Sequence, residues 1–492
     1  MSQKDPCISR CLATSGWGLQ YVCPDTWQRT SAHYPPLFCR CSRVAILRVS
    51  LPTQRAKHVA MPSSCAFLRS AGARARRQQK NTKPAFGEHG DPPPRKGIDL
   101  TGERPVDHTT YTGHHAFFEA IRPPTPCLLL DLDIVTERYR ALRSDMPSAA
   151  IYYAVKANAD PELLRTLVAI GCGFDVASTG EIDACIAAGA EPELISFGNT
   201  VKKESAIRYA HERGIRLYSI DSAAELEKIA RSAPGADVCC RIIVRTTGAQ
   251  WPISRKFGCT EEDAVDLLRQ ARSLGLNPRG STFHVGSQQR RPGSWQSGVA
   301  AAARVAAKLA AEGIELDLLN LGGGLPVRYD AGVPGLTAYA TAINNSVAEH
   351  FRHVPNLIIE PGRYLPGDAG LIRSEVVLVV NREHGRRWVY VDVGRFGGLA
   401  ETEGEAIAYP LVARRPGGEF AGEQAPAVVA GPTCDSADVL YEQTPVLLPA
   451  DLRPGDHIDF LATGAYTTPY ASVGFNGFPP LPTYCFGATA VA

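Results

Sequence analysis

From Ala149 onward, short apolar runs alternate with stretches of helical period. The runs are Ile151–Lys156, Cys172–Ser178, Leu194–Asn199, Arg216–Asp221, Val238–Val244, Gly280–Ser287, Leu316–Gly324 and Leu357–Tyr364. The first five recur about every 22 residues, which fits a strand, a helix and two short loops. Between them, Pro161–Ile170, Thr179–Ala188, Lys202–Arg213 and Ser222–Arg231 carry amphipathic helical spacing. Two of these helices have readable starts. Asp160 offers an N-cap before Pro161, and Asp221 or Ser222 stands ahead of Glu225. The Ala-rich stretch Gly298–Glu312 reads as a well-formed helix. Eight strand–helix units without a break predict an α/β fold, a (β/α)8 TIM-like barrel.

After Gly370 the period changes. Glu375–Val380, Trp388–Val393, Ala427–Ala430 and His457–Leu461 are β-rich, and turns rich in Gly and Pro separate them. This predicts a C-terminal β-sandwich or β-barrel domain. Pro126–Leu132 is strand-like and could join the same sheet. The expected organisation is a leader and linker over 1–105, a strand segment joining the β domain over 106–131, the barrel over 132–369, and the β domain over 370–492.

Composition narrows the partners. A net charge of +2 gives no reason to expect nucleic acid or a membrane surface. Runs such as Glu375–Asn381 are strand-sized, far short of the roughly 18–20 residues that span a bilayer. Residues 1–84 differ in texture: 14 Lys or Arg face only Asp5 and Asp25, and six of the 14 cysteines lie there. Three readings stay open. The stretch is an organelle transit peptide, or a metal or disulfide module, or a disordered or non-native segment upstream of a misassigned start. Cys7, Cys11, Cys23, Cys39 and Cys41 form no CxxC pair, and Met61 is the only internal methionine before residue 107. Residues 85–105, with Pro92-Pro93-Pro94, read as a linker. The eight later cysteines are scattered, as in a reducing cytoplasm, and no metal site is expected.

Active sites of such barrels lie at the C-terminal ends of the strands. Those ends carry Lys156 and Asn158, Asp175 and Ser178, Asn199, Asp221, Arg241, His284 and Ser287, Gly322-Gly323-Gly324, and Glu360 with Arg363. Lys156 alone reads as a lysine snorkelling to solvent. Over a barrel mouth it can instead have a lowered pKa and form an imine with an aldehyde cofactor. The triple glycine makes a tight turn or, after the seventh strand, a phosphate cradle to which Arg363 and Ser287 add hydrogen bonds. Glu360 is either half of a structural pair with an arginine or the partner of a pyridinium nitrogen. His284 either stacks on a flat ring or is a buried, hydrogen-bonded histidine. Cys434 is a small residue in a Gly-Pro turn or a proton donor, with Asp435 able to bind an ammonium.

The ordered set of motifs resembles the alanine-racemase-fold decarboxylases, the family of ornithine and diaminopimelate decarboxylases. The motifs are Ala154-Val155-Lys156-Ala157-Asn158, Phe174-Asp175-Val176-Ala177-Ser178 with Glu181, and Thr282-Phe283-His284-Val285-Gly286-Ser287. The triple glycine, Glu360-Pro361-Gly362-Arg363-Tyr364, Gly431–Ser436, Gly464-Ala465-Tyr466-Thr467 and Phe475-Asn476-Gly477-Phe478 follow. The likeness spans about Thr125 to Phe486. It implies pyridoxal 5'-phosphate (PLP) as cofactor, with Lys156 as the Schiff-base lysine, Glu360 on the pyridine nitrogen and His284 against the ring. Ser287, Gly322, Gly323, Gly324, Gly362, Arg363 and Tyr466 would hold the phosphate side, with Asp175 and Arg241 around the cofactor. It also implies a homodimer with shared sites, Cys434 and Asp435 coming from the second copy and Cys434 reprotonating the α-carbon.

For substrate, the resemblance points to a small basic amino acid. Cys434-Asp435-Ser436 is similar to the ornithine branch, where diaminopimelate enzymes usually carry Cys-Glu-Ser-Gly. Asp392 and Phe475 fall at substrate-side positions, although Phe396 stands where some members have a tyrosine. The expected reaction is L-ornithine to putrescine and CO2, in polyamine biosynthesis, with L-lysine to cadaverine as a second activity. The alternatives are a meso-diaminopimelate decarboxylase and a catalytically inactive regulatory homologue.

Overall fold

The computed structural model describes residues 111–251 and 256–487, so the readings for residues 1–110 lie outside it. In chain order the first strands are β1 (Cys127–Asp131), β2 (Ala149–Ala154), β3 (Gly173–Val176), β4 (Ile195–Phe197), β5 (Leu217–Ile220) and β6 (Asp237–Arg241). Then come β7 (Ala249–Trp251), β8 (Asn277–Thr282), β9 (Ser287–Gln289), β10 (Leu318–Asn320) and β11 (Asn356–Ile359). Eight of these, in the order β10-β11-β2-β3-β4-β5-β6-β8, close into a parallel barrel, as the strand–helix alternation predicts.

Helices over Pro161–Ala169, Thr179–Ala187, Glu204–Glu212, Ala223–Ser232, Glu261–Ser273, Gln296–Ala310 and Leu336–His350 follow successive barrel strands. Asp160 caps the first, accepting from Glu162 N–H, with Pro161 at the first helical position where no N–H is needed. The helix after β5 starts differently from its sequence reading. Ser222 makes no side-chain cap bond. Asp221 instead accepts from Thr200 Oγ1 at 2.7 Å and from Gly258 N–H at 2.9 Å, tying two neighbouring loops together.

The strand alternation positions the site. Tyr152, Leu217, Cys239, Leu318 and Ile358 pack together as a separate apolar cluster. Because side chains on a strand repeat every second residue, the next positions on the same face are Ala154, Arg241, Asn320 and Glu360. One pleat of largely apolar side chains thus underlies a pleat that carries Arg241, Asn320 and Glu360.

Several strands end earlier than the apolar runs suggest. Gly322 has φ +64°, outside the strand region, and a Cβ there would lie 1.9 Å from the Phe283 carbonyl oxygen. Beyond Ile359, Pro361 has no N–H for a ladder. Lys156 likewise stands one turn past its strand, in a 3-10 turn over Val155–Ala157. Ser287 opens a separate strand, β9, which pairs with β7 so that Trp251 faces Ser287. Lys156, His284, Gly322 and Glu360 therefore stand on the loops of the rim, while Asp175, Arg241 and Asn320 lie on the strands themselves.

The remaining strands are β12 (Gly370–Asn381), β13 (Arg387–Val391), β14 (Leu411–Arg414), β15 (Gln424–Ala430), β16 (Val446–Pro449), β17 (His457–Leu461) and β18 (Thr483–Phe486). With β1 they form one connected eight-stranded sheet. It is mixed: β1 pairs antiparallel with β12 and parallel with β18. Arg373 and Asp459 bridge β12 and β17 as a buried bidentate pair at 2.7 and 2.8 Å. Among the described residues, no helix is long and apolar enough to cross a membrane.

Trp295 anchors the helical layer behind the triple glycine. It is fully buried, donates from Nε1 to Leu321 O at 3.1 Å, and meets Tyr339 edge-on. Trp295→Ala is expected to cost about 3–5 kcal/mol of stability. Equilibrium denaturation by urea would measure it, and a cost under about 1 kcal/mol would contradict this packing account.

Candidate active site

Lys156 owes its place to a short turn locked from both sides. Tyr153 OH donates to Asn158 O at 2.8 Å, and Asn158 Nδ2 donates to Gly464 O at 2.9 Å. Tyr466 N–H reaches Ala157 O at 2.8 Å. The turn after β2 is thereby fastened to the Gly464–Tyr466 segment of the sheet domain, and Tyr466 adopts φ +57° to make the approach. Lys156 then points into a cavity lined by His284, Ser287, Gly323, Gly324, Glu360, Gly362, Arg363 and Tyr466, with Ala154 and Leu325.

One side of that cavity suits an anion. Gly323 and Gly324 line it without side chains: a Cβ on Gly323 would come within 2.6 Å of Glu360 O, and one on Gly324 within 2.6 Å of Gly286 O. Gly362 allows the Tyr466 hydroxyl close, since a Cβ there would lie 2.6 Å from it. Arg363 lies 3.3–3.4 Å from Ser287 Oγ through Nη2 and Nε. Its guanidinium also lies 4.8 Å from the centre of the Tyr466 ring. Amide, hydroxyl and guanidinium donors on a glycine turn form an anion cradle.

The opposite side suits a ring. Glu360 accepts from Asn320 Nδ2 at 2.5 Å, and its backbone N–H is held by Gly322 O at 2.8 Å. His284 Nδ1 accepts from Gly286 N–H at 2.9 Å, which leaves Nε2 carrying the proton. Burial, with Arg241 and Lys156 nearby, holds the His284 pKa well below its usual value, so the ring is neutral. Burial and the charge of Asp175 push the Glu360 carboxyl up to about 7, against the pull of Lys156, Asn320 and Arg241.

Lys156 departs from its sequence reading. Desolvation pulls the ammonium down, but Asp175, 3.4 Å away, outweighs it together with Tyr466 and Glu360, so its pKa lies above the ordinary lysine value. Before it carries anything, this lysine is an ammonium held by carboxylates. Asp175 presents Oδ2 to Lys156, while its Oδ1 is buried without a hydrogen-bond partner. A Cβ on Gly198 would lie 1.9 Å from that oxygen. Arg241 projects from the end of β6, with its guanidinium 5.1 Å from the Phe257 ring centre. Glu181 turns back onto Ala177 N–H and serves its own helix start.

Four other candidates form a second group on the sheet domain, and none of them lines the Lys156 cavity. Cys434 is exposed, its N–H bonded to Asn476 Oδ1 at 3.0 Å. Asp435 is exposed and closes a turn by accepting from Ala437 N–H at 2.8 Å. Phe475 packs against Phe396, ring centres 4.6 Å apart. Asp392 lines an apolar cavity with both phenylalanines, while its Oδ1 accepts from Ser374 Oγ at 2.6 Å and Glu375 N–H at 2.9 Å. That oxygen supports the sheet where the β12–β13 register shifts, between Val376 and Leu378.

The residues of the first group fit PLP. A glycine cradle that any Cβ would fill, a lysine within the same cavity, a neutral imidazole and a carboxyl of raised pKa match its phosphate, aldehyde, ring face and ring nitrogen. The sequence reading did not identify Asn320, Tyr329 or Glu401. Asn320 was accessible to it, standing two residues before the triple glycine on the inward face of β10. Tyr329 and Glu401 lie in irregular segments with no period to expose them.

Residues 132–367 match the family model described as pyridoxal-dependent decarboxylase, pyridoxal binding domain. The lysine/ornithine decarboxylase of Selenomonas ruminantium is 34% identical over 370 residues, covering 75% of this chain and 91% of that protein. The solved structure of SrLDC with PLP and cadaverine superposes with a TM-score of 0.68 at 34% identity, covering 76% of this chain and 93% of that one. A lysine/ornithine decarboxylase from Vibrio vulnificus, solved with putrescine, gives 0.68 at 31% identity over 76% and 98% of the two chains.

The Glu360 carboxyl has a sign-definite consequence in the cofactor-free protein. Its folded pKa, about 7, exceeds the ordinary 4.5. The folded state therefore binds the extra proton, and the stability linked to Glu360 is present below pH 4.5 and lost as pH rises through 7. The stability of wild type relative to Glu360→Gln should fall across that window and level off above it. A difference that is flat with pH in denaturant titrations would contradict the assignment.

Proposed function

We propose that this chain, which belongs to the pyridoxal-dependent ornithine/arginine/lysine decarboxylase family and is a PLP-dependent amino-acid decarboxylase, converts L-ornithine to putrescine and CO2. L-Lysine is a second substrate, and the reaction supplies polyamine biosynthesis in the cytoplasm. The observation that carries the choice is the Cys434-Asp435 pair: a short, exposed carboxylate beside a thiol suits a substrate ending in a bare ammonium. The lysine/ornithine decarboxylases of Selenomonas ruminantium and Vibrio vulnificus, to which the chain is similar, support the same reading.

Bound PLP supplies the electron sink for the pair left on the α-carbon when CO2 departs. Lys156 is the attachment point, and Asp175 keeps its Nζ oriented toward the cavity. Glu360, fixed by Asn320, would hold the proton on the ring nitrogen of bound PLP. His284, neutral and fixed by Gly286, would pack against the ring without adding charge. Ser287, the glycine turn, Arg363 and Tyr466 would hold the phosphate, while the charge of Arg241 acts on the nearby carboxylates Glu360 and Asp175.

Among the described residues no thiol lines the Lys156 cavity, and Cys434 and Asp435 face outward on the sheet domain of the same chain. A second copy that brings its Cys434 and Asp435 to this cavity completes the site, with Cys434 Sγ giving its proton to the α-carbon. The functional unit is then a homodimer with two shared sites.

CO2 release from ornithine, lysine, arginine and meso-diaminopimelate tests the substrate. Ornithine is expected to give the highest kcat/KM, with lysine within roughly 10–200-fold, the range one methylene can discriminate. Turnover of diaminopimelate alone would overturn the reading. The shared site has its own test. Mixing inactive Lys156→Ala and Cys434→Ala subunits should restore about a quarter of wild-type activity, because half the dimers are mixed and each has one intact site. No recovery despite demonstrated subunit exchange would contradict it.

A further inference from the structure

Arg363 and Glu401 are among the most completely buried charges of the described structure, each side chain 2% exposed. Glu401 comes from the sheet domain, in the irregular turn over Ala400–Glu405, whereas Arg363 follows β11 of the barrel. The two meet as a bidentate pair: Nη1 donates to Oε2 at 2.8 Å and Nη2 to Oε1 at 2.6 Å. Tyr329 OH accepts a second bond from Nη1 at 2.9 Å. Its own ring packs edge-on against buried Tyr409.

A guanidinium has five N–H groups in one plane. Both on Nη1 and one on Nη2 are therefore committed to Tyr329 and Glu401. The two that remain, on Nε and Nη2, form the edge that faces Ser287 Oγ at distances of 3.4 and 3.3 Å. These long contacts are weak hydrogen bonds, so this edge is the one free to turn its donors onto an anion in the adjoining glycine cradle. Among the described residues, Arg363 is the only guanidinium lining that cavity, and Glu401 places a negative charge beside it. The Tyr466 ring, its centre 4.8 Å from the guanidinium, packs beside the fork.

We propose that Glu401 is a positioning residue: it selects the edge of Arg363 that faces the cradle, and thereby sets how strongly the protein prefers PLP over unphosphorylated pyridoxal. The proposal rests on the reading of Ser287, Gly323, Gly324 and Arg363 as the phosphate cradle. Pyridoxal has the same aldehyde and ring for Lys156, His284 and Glu360 but nothing for Arg363 to hold. A residue that acts through Arg363 on the phosphate changes PLP binding alone. A residue that merely supports the fold weakens both ligands together.

The test is titration of the full chain with PLP and, separately, with pyridoxal, following the near-visible absorbance of the lysine adduct, alongside thermal unfolding. Glu401→Gln keeps the shape but replaces one accepting oxygen with an NH2 that opposes the fork. It should weaken PLP by about tenfold or more, the scale on which loss of an outer supporting partner acts, and leave pyridoxal within about twofold. Glu401→Asp keeps the charge on a shorter arm and should show a smaller narrowing of the preference in the same direction. If the Gln variant does not fold, the Asp variant decides. A folded Glu401 variant with the wild-type ratio of the two affinities overturns the proposal, even where its melting temperature has dropped. Arg363→Met is the control. If it also leaves the ratio unchanged, the cradle reading falls and the proposal with it; if it narrows the ratio and neither Glu401 variant does, the cradle stands and only the role of Glu401 is lost.

Discussion

The two-residue alternation of a strand, imposed on eight parallel strands closed into a ring, is the constraint from which the site follows. Side chains at every second position must enter the barrel, and eight sets of them converge on one axis. Tyr152, Leu217, Cys239, Leu318 and Ile358 pack together in the lower layer. Arg241, Asn320 and Glu360 stand on that layer, two residues further along their strands. Their charges therefore act over an apolar floor, where electrostatic interactions are stronger than in water. Burial there raises the Glu360 carboxyl, and burial with Arg241 and Lys156 nearby keeps His284 neutral.

Charge in the mouth is balanced locally. Lys156 leans on Asp175, and Arg363 is paired with Glu401. Two cations of the site thus have a paired carboxylate, and for the buried Arg363 that pairing offsets the cost of burial. The pairing also divides the labour between domains. The barrel supplies Lys156, His284, Glu360 and Arg363, while the sheet domain supplies Tyr466 and Glu401 from irregular segments. The backbone bond from Tyr466 to Ala157 joins the two contributions beside the lysine itself.

The barrel was legible because its information is periodic. Apolar runs near 22 residues apart leave few arrangements other than β/α units, and the polar residues at their ends mark one rim. What periodicity does not carry was harder to read. Leu411–Arg414, Val446–Pro449 and Thr483–Phe486 are only four residues each, too short for alternation to stand out. Glu401 is a carboxylate in an Ala-Glu-Thr-Glu-Gly stretch that reads as solvent-exposed, and only a buried arginine 38 positions away explains it. The pKa of Lys156 was misjudged for a related reason: a lone lysine among apolar neighbours suggests discharge, whereas Asp175 comes from the adjacent strand. Asp392 and Cys434 lie close to their motifs in sequence, yet the single chain keeps them outside the Lys156 cavity.

The central claim is that Lys156, and no other lysine, carries the cofactor. Borohydride reduction of the PLP-loaded protein, followed by peptide mass spectrometry, tests it most directly. The account predicts a phosphopyridoxyl group on the peptide containing Lys156, with stoichiometry near one per chain. Labelling at Lys202 or on scattered surface lysines, with Lys156 unmodified, would contradict it.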